Sequence, residues 1–153
     1  NMKQITIKVA WNNSAFEGLV SSETSYGEMK IVTKDFNDII DMGEAELKIG
    51  FDGYTEFGLE LPEWYKNKEY EFVYKFQDVT AMLKAYSSYV SLAAISRETG
   101  INSALLSHYA NGLKVPRNKQ QKIIVSGLHR IGALLSKCTI DDERKTQLNI
   151  ERK

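Results

Sequence analysis

The chain has 153 residues and a formal net charge of zero, 20 Lys plus Arg against 20 Asp plus Glu. That length holds one compact domain or two small ones, and 42% apolar with 26% charged residues is ordinary globular composition. No run of about 18 apolar residues exists, which excludes a transmembrane helix, and the lone Cys138 excludes an internal disulfide and fits a reducing cytoplasm.

Asn1, ahead of Met2, is read as a cloning residue, and the chain is expected to open into a strand without a signal peptide. Ile5 to Trp11 is rich in β-branched residues and predicts that strand. Asn12-Asn13 signals a turn. Ala15 to Val20 predicts the returning strand and Met29 to Val32 a third. Asp35 is a helix N-cap, with Asp38 three residues on. Phe36, Ile39, Ile40, Gly43, Leu47 and Phe51 recur at helical spacing. Asp35, Asp38 and Asp41 suit the positive end of that helix, and Gly50 and Gly53 are expected to end it. Phe51 to Trp64 reads as a structured loop, and Glu69 to Phe76 as the last strand. Residues 1–77 are thus a β-β-β-α-β module, within an α+β chain.

Four helical segments follow over residues 78–136. Asp78 or Thr80 caps the first, with Met82, Tyr86 and Tyr89 on one face. Ser91 caps the second, Leu92 to Thr99, which Gly100 breaks. Asn102 caps the third, Ser103 to Asn111, and Gly112 stands just past its end. Val115-Pro116-Arg117 opens the fourth, with Ile124, Leu128, Ile131 and Leu135 on its apolar side. Residues 137–153 form a charged tail, read as a short strand at Cys138-Thr139-Ile140 and then a frayed helix. Leu148 and Ile150 in that tail either touch a second subunit or belong to a disordered end. Cys138 is expected to be buried or half-buried.

The zero net charge is a cancellation. Residues 1–77 hold 8 lysines and 14 carboxylates, a net of −6, whereas residues 78–153 hold 12 basic and 6 acidic side chains, a net of +6. Such asymmetry predicts two modules with different partners. The acidic module has no His and no Cys, which removes imidazole and thiol chemistry and most transition-metal sites. Its carboxylates (Glu69 and Glu71 on one strand face, Asp35, Asp38 and Asp41 on a helix) read as solvated surface and a capped helix start rather than a Mg²⁺ site. No glycine-rich phosphate loop is present. Leu59, Leu61 and Trp64 in the Gly58–Tyr65 stretch have two readings. They are partner-binding anchors, or they cap the open side of the sheet.

Residues 92–112 have the order of a helix-turn-helix. Ser96 is small where two helices would touch, Gly100 accommodates positive φ in the turn, and Ile95, Ile101, Leu106 and Tyr109 are the pinning apolar set. The run Gly100-Ile-Asn-Ser-Ala-Leu-Leu-Ser-His-Tyr-Ala-Asn-Gly-Leu-Lys-Val-Pro-Arg117 resembles the phage-repressor (Cro/CI-type) helix-turn-helix. Carried through Leu128-His-Arg-Ile-Gly-Ala-Leu-Leu135, it is similar to HicB-like antitoxins with such a C-terminal domain. The resemblance covers about residues 2–138. It departs between Ser21 and Asp38, where the family's common Gly-Cys and Gly-Asp-Thr segments are absent. It implies a partial double-stranded-RNA-binding-like fold for the acidic module. It further implies a homodimer that binds an operator and neutralises a basic, RNA-cleaving HicA-like toxin.

Residues 102–122 carry Lys114, Arg117, Lys119 and Lys122 and no acid, a patch suited to phosphates. If the second helix of the motif enters the major groove, Ser103, Ala104, Ser107 and His108 face the bases, and Asn102 adds a phosphate contact. In the resembling repressors a Gln phosphate contact often opens the first helix of the motif; Leu92 stands there instead. No metal, cofactor, catalytic residue or membrane contact is expected. A stand-alone transcriptional regulator, with an acidic module that only dimerises, is the alternative, and a carboxylate-dependent nuclease in residues 1–77 is the enzymatic rival.

Overall fold

Alternation of Ile5, Ile7 and Val9 with polar residues puts three fully buried side chains on one face of the first strand, β1 (Lys3–Asn12). The computed structural model describes residues 1–20 and 28–142. β1 turns into β2 (Ala15–Val20) through Asn13 and Ser14, both at positive φ (52° and 60°), with Asn12 and Ala15 directly opposite. Two consecutive left-handed residues are the signature of a type I′ hairpin turn. β3 (Met29–Thr33) adds antiparallel to β2, and β4 (Tyr70–Phe76) adds parallel to β1, giving the order β3-β2-β1-β4. Among the described residues the chain is α+β, with this four-stranded sheet and six helices. None of those helices is long and apolar enough to cross a membrane.

Helix α1 (Phe36–Glu56) starts as expected, the Asp35 carboxylate accepting the Asn37 N–H at 2.9 Å. Its end corrects the sequence reading. The helix runs through Gly50 and Gly53, which are buried with Gly43, Leu47 and Phe51 on the sheet-facing side. At Gly43 a Cβ would lie 3.2 Å from Ile7 Cδ1 and 3.3 Å from Phe72 Cε1. There a glycine lets helix and sheet approach, rather than stopping the helix. The stop is at Gly58 (φ 70°), where the Leu59 N–H donates to the Tyr54 carbonyl at 2.8 Å and the Gly58 N–H to Thr55 at 3.1 Å, a Schellman closure. The stretch read as a loop from Phe51 to Trp64 is therefore helical at both ends, its far end opening the short α2 (Glu63–Lys66).

Two clusters fill this half. Ile7, Val9, Phe16, Val20, Ile31, Phe36 and Ile39 form one; Ile5, Leu47 and Phe51 form the other, with Leu61, Trp64 and Tyr70 packed on it. Full burial of an aliphatic side chain of this size contributes about 1.5–3 kcal/mol.

Of the two caps considered for α3 (Val79–Tyr86) it is Asp78 that serves, its carboxylate accepting the Ala81 N–H at 2.8 Å. Tyr89 lies beyond the end of α3 and is exposed, so it does not share a helical face with Met82 and Tyr86. α4 (Leu92–Thr99) follows its Ser91 cap, α5 (Ser103–Ala110) its Asn102 cap, and α6 (Asn118–Leu135) begins after Arg117. Val79, Met82, Leu83, Ile95, Ile101, Leu106, Tyr109 and Ile124 make the core they share. α3 also reaches the sheet: Ala85 is buried in the first cluster, and Lys84 Nζ sits 4.9 Å from the Trp11 ring centre. Past α6, Cys138–Ile140 form no strand, and Cys138 is exposed rather than buried. Leu148 and Ile150 lie outside the described residues.

Candidate nucleic-acid interface

The α4–α5 pair is built from local rules. Gly100 closes α4 in the left-handed region (φ 77°), its N–H donating to the Ser96 carbonyl at 2.8 Å. The Thr99 hydroxyl donates to the Ile95 carbonyl at 2.6 Å and accepts the Ile101 N–H at 3.2 Å, which stiffens the turn. Asn102 then caps α5, its Oδ1 accepting the Ala104 N–H at 2.7 Å. α5 ends as α1 does. Gly112 has φ 73°, and the N–H groups of Leu113 and Gly112 donate to His108 and Tyr109 at 2.9 and 3.2 Å.

Tertiary contacts hold α5 on its scaffold. Leu106 and Tyr109 are buried, and the Thr80 hydroxyl donates to the Tyr109 carbonyl at 2.6 Å, tying α5 to α3. Arg130 ties α6 to α4: its Nε donates to the Glu98 carboxylate at 2.7 Å and its Nη2 to the Glu98 carbonyl at 3.1 Å. That arginine is engaged within the fold. Leu92 is half-buried against the same core.

Ser103, Ala104 and His108 are exposed on α5. Ser107 is half-buried, and its hydroxyl accepts from the Asn111 amide at 3.4 Å. Asn111 is itself exposed and lies seven residues after Ala104, hence on the same side; helical spacing carried one turn further would have found it. Lys114, Arg117, Lys119 and Lys122 are all exposed, and none forms an ion pair among the described residues. α6 opens between them without a side-chain cap on its first-turn N–H groups, an arrangement that favours anions. Leu113 and Val115 are exposed on either side of Lys114, in the loop joining α5 to α6. The sequence reading passed over that apolar pair.

The three candidate protein-contact residues separate. Leu59 is exposed; Leu61 and Trp64 are half-buried against Phe51, whose ring lies 5.5 Å from that of Trp64. Lys3 Nζ covers the indole at 5.7 Å. Of the two readings of this stretch, packing over the core describes Leu61 and Trp64. Ile49 on α1 and Phe57 just after it are exposed as well. Among the described residues no group of three or more His, Cys, Asp or Glu side chains is placed to hold a metal ion.

No protein-family model, curated protein or solved structure matches this chain.

Proposed function

We propose that this chain is a dimeric DNA-binding antitoxin of the HicB type. In this reading α5 reads an operator, the acidic half neutralises a basic, RNA-cleaving HicA-like toxin, and the complex represses its own operon in the cytoplasm. No catalytic step is assigned to the chain.

One observation carries the DNA side. Ser103, Ala104 and His108 are exposed on α5, and the four exposed cations that follow it in the chain have no acidic partner among the described residues. Cations left unpaired are available to phosphates, and each phosphate neutralised releases counterions from the duplex. Lys114, Arg117, Lys119 and Lys122 would set position and affinity. Ser103 and His108 would hydrogen-bond base edges, Ala104 would meet a thymine methyl, and Asn102 keeps its amide N–H groups for a phosphate. Ser107 has the weakest claim, because it is half-buried and already bonded to Asn111. A single such helix reads few bases, so affinity calls for two copies on half-sites about 34 Å apart.

The toxin side rests on the net charge of −6 over residues 1–77, which complements a basic protein. The packing of Leu61 and Trp64 into the core favours a second reading, a stand-alone regulator whose acidic half only dimerises.

Selection from a pool of randomised DNA duplexes tests the reading. A two-fold symmetric site is the expected product. Arg117→Ala with Lys119→Ala should weaken binding to all duplexes and reduce the salt slope by about 2, each phosphate contact contributing about 0.9. Ser103→Ala should change sequence preference instead. An unchanged slope in the double variant rejects the phosphate assignment. Co-purification with a small basic protein encoded beside the gene separates the antitoxin from the stand-alone regulator. Mg²⁺-dependent RNA cleavage that is lost in Glu71→Ala would overturn the non-enzymatic reading.

A further inference from the structure

Residues of both halves of the chain line one open groove of about 350 Å³. Trp11 of β1 and Leu83 of α3 supply apolar surface in it. Leu92, the first residue of α4, and Asn111, which follows α5, line it too. Its charged residues are Lys34, in the turn from β3 into α1, and Lys84 of α3; no carboxylate lines it.

Neither lysine forms an ion pair among the described residues. Lys84 Nζ is held 4.9 Å from the centre of the Trp11 ring, a contact that positions the ammonium without neutralising it. Lys34 is exposed. The acids that follow Lys34 in the chain are already engaged. Asp35 accepts the Asn37 N–H at 2.9 Å, and Asp38 accepts the Thr33 hydroxyl at 2.5 Å.

These two cations bear on how an acidic module shares a chain with a DNA reader. Residues 1–77 carry a net charge of −6 and repel a duplex wherever their carboxylates come within about 8 Å, the screening length at physiological salt. In helix-turn-helix docking the second helix enters the major groove while the first crosses the sugar-phosphate backbone. With α5 in the groove, α4 is the element that meets the backbone, and Leu92 is where it starts. The groove that Leu92 shares with Lys34 and Lys84 is cationic, so its charge complements phosphate there.

We propose that Lys34, together with Lys84, binds phosphate of the operator backbone, so that the acidic half takes part in DNA binding instead of standing clear of it. The contact rests on the DNA reading given above and adds to it a surface from the other half of the chain. It is a positioning contact: ammonium groups on phosphates fix affinity and register and carry no base preference.

Fluorescence anisotropy of the full chain on labelled duplexes, repeated at several salt concentrations, tests the proposal. Lys34→Ala should weaken binding to every duplex alike and lower the salt slope by about 0.9, the share of one phosphate contact. Adding Lys84→Met, which keeps the stem over Trp11, should bring the drop to about 1.8. Lys34→Arg should restore the wild-type slope. Lys48→Ala removes the same charge from α1, outside the groove, where Lys48 pairs with Asp52 at 2.6 Å; it should leave the slope unchanged. Lys34 is exposed, so thermal unfolding of Lys34→Ala should match wild type. A wild-type slope in Lys34→Ala overturns the proposal. An equal drop in Lys48→Ala also overturns it, since the effect would then be one of overall charge. Loss of polyglutamate binding in Lys34→Ala, with the duplex slope intact, would give the groove to an acidic protein and likewise reject it. Failure of the DNA reading looks different: the wild-type chain itself would bind no duplex, and the proposal would fall with that reading.

Discussion

The ring of Phe36, the first residue of α1, lies 5.6 Å from that of Tyr86, the last residue of α3, at an interplanar angle of 81°. Phe36 also meets Tyr74 at 5.3 Å and Phe76 at 5.7 Å, and Phe76 meets Tyr86 at 5.3 Å. The edge-on pairs among these, Phe36–Tyr86, Phe36–Tyr74 and Phe76–Tyr86, add about 0.5–1.5 kcal/mol each beyond their buried area. The acidic and basic halves are joined through this cluster. Charge divides the chain at residue 77, but α3 contributes side chains to the cores on both sides.

Removing Tyr86 should be felt in both halves. Tyr86→Ala is expected to cost about 2–3 kcal/mol, somewhat below a fully buried aromatic. Urea unfolding followed by tryptophan fluorescence reports the sheet side, through Trp11 and Trp64. Far-ultraviolet circular dichroism weights the helices. The two curves should coincide in wild type and shift together in the variant. Separate midpoints would reject a shared core.

Gly127 is where α6 meets α4. A Cβ there would stand 2.5 Å from Thr99 Cγ2. Gly127→Ala gains about 1 kcal/mol of helix propensity but overpacks the contact, which costs typically about 1–3 kcal/mol. Net destabilisation is expected. Thr99→Ser removes the offending methyl and keeps the hydroxyl that bonds Ile95 and Ile101. The double variant should therefore recover most of the loss, and no recovery would mean that the helices separate for another reason.

Tyr70 makes stability fall in alkali. Burial, and then the hydrogen bond its hydroxyl donates to Glu44 at 2.8 Å, push its pKa up to about 12. An unfolded tyrosine titrates near 10. The folded state holds the proton more tightly, so this contribution is complete below about pH 10 and disappears as the pH approaches 12. Chemical unfolding at stepped pH should show wild type losing stability more steeply than Tyr70→Phe across that window. Parallel profiles would contradict the assignment.

The β1–β2 turn can be improved. Ser14 sits at φ 60°, where a residue with a Cβ is strained by about 1 kcal/mol. Ser14→Gly gives the Asn-Gly pair that a type I′ turn prefers. Part of the gain is offset by the freer unfolded chain, leaving about 0.5 kcal/mol, readable as a raised urea midpoint with an unchanged slope.

β-branched content made β1 legible in the sequence, and the caps Asp35, Asp78, Ser91 and Asn102 each accept the N–H that a cap should. Glycine was the ambiguous letter. Gly50 and Gly53 look like helix terminators, but a helix lying close on a sheet uses the same residue on its buried face, and only the packed structure distinguishes the two uses. Gly100 and Gly112 stood between apolar sets with no such alternative, and both have positive φ. Leu61 and Trp64 kept two readings in the sequence for a related reason. Sequence gives their hydrophobicity but not the depth of the hollow over Phe51 that receives them. The exposed face of α5 follows from spacing, whereas the half-burial of Ser107 depends on its neighbour Asn111.

The parallel pairing of β1 with β4, Lys3 opposite Tyr70, has a consequence for the growing chain. Ile5, Ile7 and Val9 are made first, yet their neighbours Phe72, Tyr74 and Phe76 arrive 67 positions later. At ordinary synthesis rates that is a delay of about 3–13 s, during which the central strand has only β2 beside it. Ala85 and Tyr86 follow directly behind β4 and pack on the same cluster. The ribosome therefore delivers the last strand and the helix that backs it almost together, so that the sheet closes and the helical half begins to assemble in one late step.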